Sequence, residues 1–361
     1  MKPMIIRRLG FDEWFSEKTD ASKSAAFQIA RVTAVNKDSF LIRNGEKDVY
    51  AEVTGKMLFN ANSPTDFPTV GDWVYAQFYD DGSFAVIHDA LPRKSILKRK
   101  TAGRKTEYQL IAANIDTAFI IQSFGPDYNL RRLERYLVMV HEGGIDPVVL
   151  LSKSDLSAPH ERESKIAEIR KLMPDIRIVE FSNVNHHGMD KINEMLKPGR
   201  TFCLLGSSGV GKTTLLNNLT GDAPFETNAV REKDGKGRHT TTRRQLIILK
   251  NGAMIIDTPG MRELGNIAVS TGINETFSEI ADLSGQCQYS DCTHRDEDGC
   301  AILKAISEGV ISEERYWNFI RMNKETAYNE MSYHEKRRKE KQFGKLCKSI
   351  MQGKKNKIRF Q

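Results

Sequence analysis

The chain has 361 residues, of which 39% are hydrophobic and 28% are charged, and its formal net charge is +7. This length is sufficient for two or three domains with sizeable cores, and the composition excludes a membrane helix, because no apolar run approaches the ~20 residues that such a helix needs. The N-terminal stretch lacks a secretory signal, and five cysteines, three of them clustered, suit a reducing compartment. We therefore expect a cytoplasmic protein.

After a mixed extension over residues 1–25, the chain shows short alternating segments separated by turn residues such as Asn44-Gly45 and Asp81-Gly82. Five such segments within about 65 residues predict a small closed barrel. The OB-fold is the commonest five-stranded barrel that binds oligonucleotides, and an SH3-like barrel has a similar pattern. We assign the OB-like barrel to residues 26–95. Its predicted strands are 28–35, 39–43, 49–53, 72–78 and 83–88.

Two stretches of the chain are strongly basic. Residues 336–361 contain eleven Lys and Arg residues and one acidic residue, and residues 90–106 contain seven basic residues and no acidic residue. Such stretches can be solvated surface and nothing more. Two of them on one chain nevertheless favour a polyanionic partner such as nucleic acid.

From about Asn114 the pattern changes to strands that alternate with helices, which predicts a mostly parallel sheet covered by helices on both faces. An apolar stripe between Leu130 and Val140 marks one helix that packs on this sheet. We place the α/β domain at residues 96–272 and a cysteine-rich, mostly helical domain with the basic tail at residues 273–361. The predicted strands are 118–121, 148–151, 176–179, 202–205, 246–249 and 254–256.

The first motif of the α/β domain follows its second predicted strand. Ser152-Lys153-Ser154-Asp155 resembles the N-K-x-D motif, in which the Asp accepts two hydrogen bonds from guanine and the Lys stem lies along the base. Ser152 replaces Asn and lacks the amide that braces this loop, which lowers the guanine affinity that we expect. After the next strand, Ser182 and Asn183 occupy the place of an S-A-x loop that contacts the guanine edge, with Asn183 in place of Ala.

A glycine-rich turn joins the strand 202–205 to an amphipathic helix. It matches G-x-x-x-x-G-K-[ST]: backbone amides converge on phosphate oxygens, Lys212 reaches the β and γ phosphates, and Thr213 offers its hydroxyl to Mg²⁺. An ordinary strand, turn and helix is the alternative, but this context is the one that a P-loop requires. We therefore predict a nucleoside triphosphate ligand. The predicted binding residues are Gly206, Ser207, Ser208, Gly209, Val210, Gly211, Lys212, Thr213 and Thr214.

Two elements after the P-loop complete the predicted nucleotide site. Asp257 ends an apolar strand and begins a D-x-x-G sequence, so that Asp257 can hold the water shell of Mg²⁺ and the amide of Gly260 can sense the γ-phosphate. The basic, hydroxyl-rich loop 236–244 suits a mobile switch in which a Thr closes on Mg²⁺, with Thr241 and Thr242 as candidates. A solvated loop would have a similar composition.

Cys287, Cys292, His294 and Cys300 supply three thiolates and one imidazole within fourteen residues. They form a complete set for tetrahedral Zn²⁺ with no open position, so we predict one structural zinc ion. Free cysteines beside a chance histidine are the alternative. So short a segment has too little core to fold alone, however, and metal binding would supply that free energy. Cys203 lies in a predicted buried strand and is expected to be core.

The order of the motifs is unusual. In a Ras-like GTPase the base-reading motif follows D-x-x-G, whereas here Ser152 to Asp155 precede the P-loop and D-x-x-G comes last. No N-K-x-D sequence occurs after Gly260. The sequence therefore predicts a circularly permuted GTPase domain.

The barrel, the permuted motifs, the loop around His239 and the Cys-x4-Cys-x-His-x5-Cys cluster together resemble one family, the small-ribosomal-subunit-dependent GTPases A (RsgA or YjeQ), over about residues 26–317. The resemblance implies an OB-like barrel, a circularly permuted α/β P-loop GTPase domain and a mostly α zinc-binding domain. It also implies a bacterial cytoplasmic factor with GTP/GDP, Mg²⁺ and Zn²⁺ as ligands. Such a factor binds the immature small ribosomal subunit and its rRNA through the two outer domains, hydrolyses GTP in response, and leaves. We expect a monomer.

The family also lacks the usual water-orienting Gln, and here Met261 follows Gly260. A thioether cannot orient a nucleophilic water, so we hypothesise that His239 or a ribosomal group does so and that hydrolysis by the isolated protein is slow. Two other functions remain open. One is a nucleotide-regulated RNA-binding module with little hydrolysis, and the other is an ATP-dependent nucleic-acid enzyme, although the chain has no motor motif and Asp155 has the base-reading spacing.

Overall fold

The computed structural model describes residues 2–36, 39–100, 108–221, 244–257, 270–332, 334–339 and 341. Within these residues, the strands form one eleven-stranded sheet and one two-stranded hairpin. The strands are β1 (Gln28–Val35), β2 (Phe40–Arg43), β3 (Val49–Val53), β4 (Trp73–Tyr79), β5 (Phe84–Ala90), β6 (Ile96–Lys100), β7 (Tyr108–Ala113), β8 (Thr117–Ser123), β9 (Asp146–Ser152), β10 (Arg177–Glu180), β11 (Thr201–Leu205), β12 (Arg244–Ile248) and β13 (Met254–Asp257). The helices are α1 (Lys2–Arg8), α2 (Glu13–Glu17), α3 (Ala21–Ala26), α4 (Gly55–Asn60), α5 (Leu130–Glu142), α6 (Pro159–Leu172), α7 (Met189–Met195), α8 (Lys212–Thr220), α9 (Ser270–Thr276), α10 (Ser278–Ser284), α11 (Ala301–Ser307) and α12 (Glu313–Glu330).

The first five strands form a closed barrel, as predicted. β1 pairs with β2, β2 with β3, β3 with β5, and β5 with β4, and the pairing of β4 with β1 closes the ring. Alternate residues point inward because successive side chains of a strand face opposite sides. Val32, Ile42 and Ile87 are fully buried in this interior.

The N-terminal extension covers the outside of the barrel with three short helices. Asp12 and Asp20 cap α2 and α3 by accepting hydrogen bonds from backbone N–H groups of the first turn. Phe11 then packs edge-to-face on the buried Trp73, with ring centroids 4.9 Å apart. The sequence pattern did not predict this layer, which gives the barrel a second small core.

The α/β sheet has the order β10-β9-β8-β11-β13-β12, in which β12 runs antiparallel and the other strands are parallel. One face packs against α5 and α6 through residues such as Leu137 and Ile169, and the other packs against α7 and α8 through Ile192 and Leu215. The predicted parallel sheet with helices on both faces is therefore confirmed. The sheet also continues into the barrel, because Ala34 of β1 pairs with Gln245 of β12.

A buried arginine joins the barrel to the α/β sheet. The guanidinium of Arg31, on β1, donates to Thr201 Oγ1 at 2.8 Å and to the carbonyl oxygens of Asn114 at 3.2 Å and Gly71 at 3.3 Å. Complete burial lowers its pKa to about 10. Because the guanidinium has acceptors in both the barrel and the α/β domain, it holds these two parts of the fold in one arrangement.

The hairpin β6–β7 was not predicted. Just before it, two residues of the basic stretch 90–106, Arg93 and Lys94, form ion pairs within the fold. Arg93 donates through Nε and Nη2 to both carboxylate oxygens of the buried Asp72, each at 2.8 Å. Burial raises the pKa of Asp72, and Arg93 offsets only part of this effect. Lys94 pairs with Asp12. The first two charges of this basic stretch therefore stabilise the fold, while Arg104 and Lys105 lie outside the described residues.

The C-terminal region is mostly helical, as predicted. Its core contains Phe277, Ile302 and Phe319, and it includes Val138 from α5 of the α/β domain. Arg315 of α12 lies at this junction and pairs with Glu134 of α5 and Glu279 of α10. Among the described helices, none has both the length and the apolar character needed to cross a membrane.

We predict that Arg315→Ala destabilises the protein by about 3–5 kcal/mol, because it leaves the buried carboxylate of Glu134 without its cation. The matched control is Arg131→Ala. Arg131 also joins α5 to α12, through Glu314 at 3.2 Å, but its side chain is 48% exposed and that of Glu314 83%. We expect the control to cost less than about 1 kcal/mol. Urea unfolding of both variants measures the difference, and equal losses would contradict the assignment of Arg315 as the buried junction.

Candidate nucleotide and metal sites

The predicted nucleotide motifs lie at one edge of the α/β sheet. Parallel strands have their carboxyl ends at the same edge, and the loops that leave those ends meet there. β9 ends at Ser152, β11 ends at Leu205 and β13 ends at Asp257. The base-reading motif, the P-loop and the start of D-x-x-G therefore share this edge although they are far apart in the chain.

The P-loop has the backbone that its glycines permit. Gly206 has φ +149°, and a Cβ atom there would lie 2.4 Å from the carbonyl oxygen of Ile121. Gly211 has φ +94° and directly precedes α8. A residue with a side chain would be strained at both positions. The loop thus ends on a helix N-terminus, which favours an anion.

Lys212 is the first residue of α8, and its side chain reaches back to this loop. Its Nζ atom donates to the carbonyl oxygens of Gly206 at 2.7 Å and Ser207 at 2.6 Å. Ser207 Oγ donates in turn to the carboxylate of Asp127 at 2.7 Å. In the same loop, Val210 is buried and Ser208 and Gly209 are exposed. At the start of α8, Thr213 is half-buried and Thr214 is exposed.

The base-reading motif touches the P-loop directly. Ser152 is fully buried, and its hydroxyl lies 2.7 Å from the carbonyl oxygen of Val210. Lys153 has a left-handed backbone with φ +61°, and the N–H of Ser154 donates to Phe181 O at 3.2 Å. Asp155 is exposed. The shorter side chain at position 152 therefore still contacts the phosphate-binding loop, and the carboxylate of Asp155 is accessible to a base.

The loop after β10 lies against both motifs. Ser182 is fully buried, and its hydroxyl accepts hydrogen bonds from the N–H groups of Val184 at 3.1 Å and Asn185 at 3.3 Å. The amide of Asn183 donates to Gly211 O at 3.2 Å. This loop is therefore held in a compact turn beside the P-loop.

The remaining predicted residues are placed only in part. Asp257 is half-buried and pairs in register with Leu204, so it ends its strand next to the start of the P-loop. Loop 236–243 and residues 258–261 lie outside the described residues. The residues concerned are His239, Thr241, Thr242, Gly260 and Met261.

Two side chains at this edge were not predicted from the sequence. Asp127 accepts from Ser207, as described above, and Asn218 of α8 donates through Nδ2 to Asn183 O and Asn183 Oδ1, both at 3.2 Å. Neither residue belongs to a linear motif. Only the folded arrangement brings them to the site.

The four predicted metal ligands converge. One ligand atom from each of Cys287, Cys292, His294 and Cys300 lies within 4.8 Å of the others. The Sγ atoms of Cys287 and Cys300 are 4.0 Å apart, and they lie 3.5 and 3.7 Å from His294 Nδ1. Tetrahedral ligands at metal–ligand distances of 2.0–2.3 Å are separated by about 3.5–3.8 Å. The cluster therefore fits a single tetrahedral metal ion.

Neighbouring groups hold the loop that carries His294. The hydroxyl of Tyr316 donates to His294 O at 2.6 Å. Glu297 accepts hydrogen bonds from Thr293 and from the N–H of Arg295, and these bonds lower its pKa below the usual range.

Cys203 does not belong to the metal cluster. It is fully buried in β11, and burial raises the pKa of its thiol. Cys203 is therefore part of the core, as expected.

Comparison with known proteins identifies similar chains. A family model described as RsgA GTPase matches residues 90–267. The small ribosomal subunit biogenesis GTPase RsgA 2 of Vibrio parahaemolyticus is 36% identical over 349 residues, which cover 97% of this chain and 93% of the relative. A relative from Methanosarcina acetivorans, named small ribosomal subunit biogenesis GTPase RsgA, is 43% identical over 261 residues, which cover 72% of this chain and 70% of that protein.

Two solved structures share the fold. The crystal structure of YjeQ from Thermotoga maritima matches with a TM-score of 0.63 and 25% identity, and the match covers 83% of this chain and 98% of that chain. The structure of YloQ, a circularly permuted GTPase, matches with a TM-score of 0.59 and 21% identity, covering 85% and 97% of the two chains. The predicted circular permutation of the fold is therefore confirmed.

We predict that Cys300→Ser releases the metal ion, because it removes one of four ligands from a closed site. Cys203→Ala is the matched control, since this thiol is buried in β11 and belongs to the hydrophobic core. Elemental analysis of the purified proteins after dialysis against a chelator gives the metal content. We expect about one equivalent in the wild type and the control and much less in Cys300→Ser. Equal metal content in all three proteins would show that the cluster is not a metal site.

Proposed function

This chain belongs to the RsgA GTPase family and is a GTPase, and from that premise we propose that it binds the small ribosomal subunit late in the maturation of that subunit. On the subunit it hydrolyses GTP to GDP and phosphate and then leaves. The names of the relatives support this proposal, since they are called small ribosomal subunit biogenesis GTPases and match over most of this chain. These names carry the proposed partner, and the 2.7 Å contact of Ser152 with Val210 O, which joins the base-reading and phosphate-binding loops, supports a single GTP site.

We propose the following roles for the nucleotide site. Asp155 accepts two hydrogen bonds from guanine, and the stem of Lys153 lies along the base. Lys212 exchanges its carbonyl contacts for the β and γ phosphates, and Thr213 and Asp257 hold Mg²⁺, which neutralises the charge that develops on those phosphates. Ser154 and Ser182 support the loops around the base. The P-loop residues 206–214 complete the site.

The proposed catalytic groups lie in the switch elements. Thr241 or Thr242 closes on Mg²⁺, and the amide of Gly260 senses the γ-phosphate. Because Met261 cannot orient water, we assign this role to His239 or to a group of the ribosome. If the ribosome completes the site, GTP hydrolysis by the isolated protein is slow and becomes fast only on the correct partner.

The domains before and after the GTPase segment also have proposed roles. Along the chain, the barrel (residues 26–95) precedes the GTPase segment 96–272 and the Cys₃His domain (residues 273–361) follows it. Residues 1–25 extend the barrel. We assign a structural Zn²⁺ to the Cys₃His cluster, because three thiolates and one imidazole are a usual zinc set. The basic residues beyond Lys336 give the chain an attraction for rRNA. The protein acts in the cytoplasm as a monomer.

We predict that purified small ribosomal subunits accelerate GTP hydrolysis by this protein by at least about tenfold, because the partner completes an active site that lacks a water-orienting Gln. Phosphate release under multiple turnover measures this effect. Lys212→Ala is the control and should lose GTP binding and hydrolysis with or without subunits. GTP binding without stimulated turnover would favour a nucleotide-regulated RNA-binding module, and a preference for ATP would favour the nucleic-acid enzyme.

The same assay tests His239. If this side chain orients the water, His239→Ala keeps GTP affinity and loses most of the subunit-stimulated rate, by about 10²–10⁴-fold. A ribosomal group would leave the stimulated rate of His239→Ala close to that of the wild type. Full stimulated turnover in the variant would therefore remove His239 from the mechanism while leaving the subunit-dependent function intact.

We predict that Asp155→Asn lowers GDP affinity by about 10- to 100-fold, because it removes a charged acceptor that faces guanine N1 and N2. IDP is the matched ligand, since hypoxanthine lacks the 2-amino group. Wild-type protein should bind GDP more tightly than IDP, and the variant should bind the two with similar affinity. Competition against a fluorescent GDP analogue provides both constants. An unchanged ratio of GDP to IDP affinity would exclude Asp155 as the base-reading residue.

A further inference from the structure

The base-reading side of the nucleotide site departs from the usual motifs at two positions, Ser152 and Asn183. Ser152 ends β9, Asn183 lies in the loop after the adjacent strand β10, and the side chains of both contact the P-loop. Their partners are the carbonyl oxygens of Val210 and Gly211, which are consecutive in the chain. The two departures are therefore neighbours in space and act on two consecutive carbonyl groups of the P-loop.

The hydroxyl of Ser152 has two acceptors within reach but only one proton to donate. It lies 2.7 Å from Val210 O and 3.2 Å from Gln122 O. A hydroxyl has a single proton, so it can donate fully to only one of these oxygens. An asparagine at this position would bring two N–H donors. Because Gln122 belongs to β8, position 152 gives the P-loop at most one hydrogen bond, to Val210 O.

Asn183 adds a second donor to the P-loop, at the next carbonyl group. Its Nδ2 atom donates to Gly211 O at 3.2 Å, and an alanine at this position would have no group to do so. Asn218 of α8 fixes the amide orientation, since its own Nδ2 donates to Asn183 Oδ1 at 3.2 Å and to Asn183 O at 3.2 Å. The contact is close, because a Cβ atom on Gly211 would lie 2.7 Å from Asn183 Nδ2.

We infer that Asn183 is a positioning residue that compensates for Ser152: its amide adds a second hydrogen bond to the P-loop beside the single one that Ser152 can give, and it holds Gly211 against the loop that follows β10. The inference rests on the proposed nucleotide site. Since the P-loop orients the phosphates, Asn183 sets how long the nucleotide stays bound. Asp155 sets which base is chosen, so the two residues affect different properties of the same ligand.

The experiment measures release of a fluorescent N-methylanthraniloyl-GDP from the full chain. Asn183→Ala should release it about 5- to 10-fold faster, which corresponds to one lost hydrogen bond, with an unchanged ratio of GDP to IDP affinity. Val184→Ala is the matched control, because Val184 is in the same loop and 78% exposed, and it should release at the wild-type rate. The double variant Ser152→Asn with Asn183→Ala should return to within about twofold of the wild type.

Rescue separates positioning from a general loss of structure, since a second substitution in a buried position would not repair a merely damaged fold. A rate for Asn183→Ala equal to that of the wild type, or no recovery in a folded double variant, would overturn the inference. Asn183→Asp is a second test if Asn183→Ala unfolds. It keeps the shape but faces Gly211 O with an acceptor, so it should release nucleotide faster than the wild type, and a wild-type rate would again overturn the inference. Failure of the wild type to bind the GDP analogue would instead contradict the proposed function.

Discussion

The site depends on one geometrical constraint, which is that parallel strands place their carboxyl ends at a single edge of the sheet. β9, β10, β11 and β13 are parallel and end at that edge. The loops after them therefore meet there in whatever order the chain visits the strands. A circular permutation changes which loop comes first along the chain, and it leaves the site intact because hydrogen bonds across the edge, such as that of Ser152 with Val210, depend only on position in the sheet.

The outer domains are attached to this sheet by buried cations and not only by apolar contact. Arg31 joins the barrel to the sheet, and Arg315 joins the Cys₃His region to α5. A buried charge that loses its partners is strongly destabilising, so neither domain can move away without a large cost. The pairing of β1 with β12 adds a backbone connection. The barrel, the α/β sheet and the Cys₃His region are therefore joined by polar contacts as well as apolar ones.

Much of the fold could be predicted because its strands carry clear patterns. The barrel strands alternate between apolar and polar residues, and the apolar strands β8, β9 and β11 are flanked by polar turns, so that periodicity alone locates them. The hairpin β6–β7 could not be found in this way. Lys98, Arg99 and Lys100 follow one another in β6, and consecutive charges suggest a solvated surface instead of a strand. The helices α1 to α3 are short and have little periodicity, and Asp caps mark only α2 and α3.

In the candidate site, too, some features could be predicted from the sequence and others could not. Motif spacing was enough to select residues that the structure brings together, in the P-loop, the loop of Ser152 to Asp155 and the Cys₃His cluster, because each proposed function requires fixed residue types at fixed intervals. Contacts between motifs could not be predicted. Asn183 and Gly211 are separated by 28 residues, and their hydrogen bond exists only because β10 and β11 end at the same edge. The sequence showed that Asn183 departs from its motif, and the structure shows what the departure contacts.

The most direct measurement of this account is a crystal structure of the full chain with magnesium and a non-hydrolysable GTP analogue. The account predicts that guanine N1 and N2 lie about 2.9 Å from the carboxylate oxygens of Asp155 while the β-phosphate lies among the amides of Gly209 to Lys212. A base bound away from Asp155, with the phosphates still in the P-loop, would contradict the claim that the permuted loops form a single guanine nucleotide site.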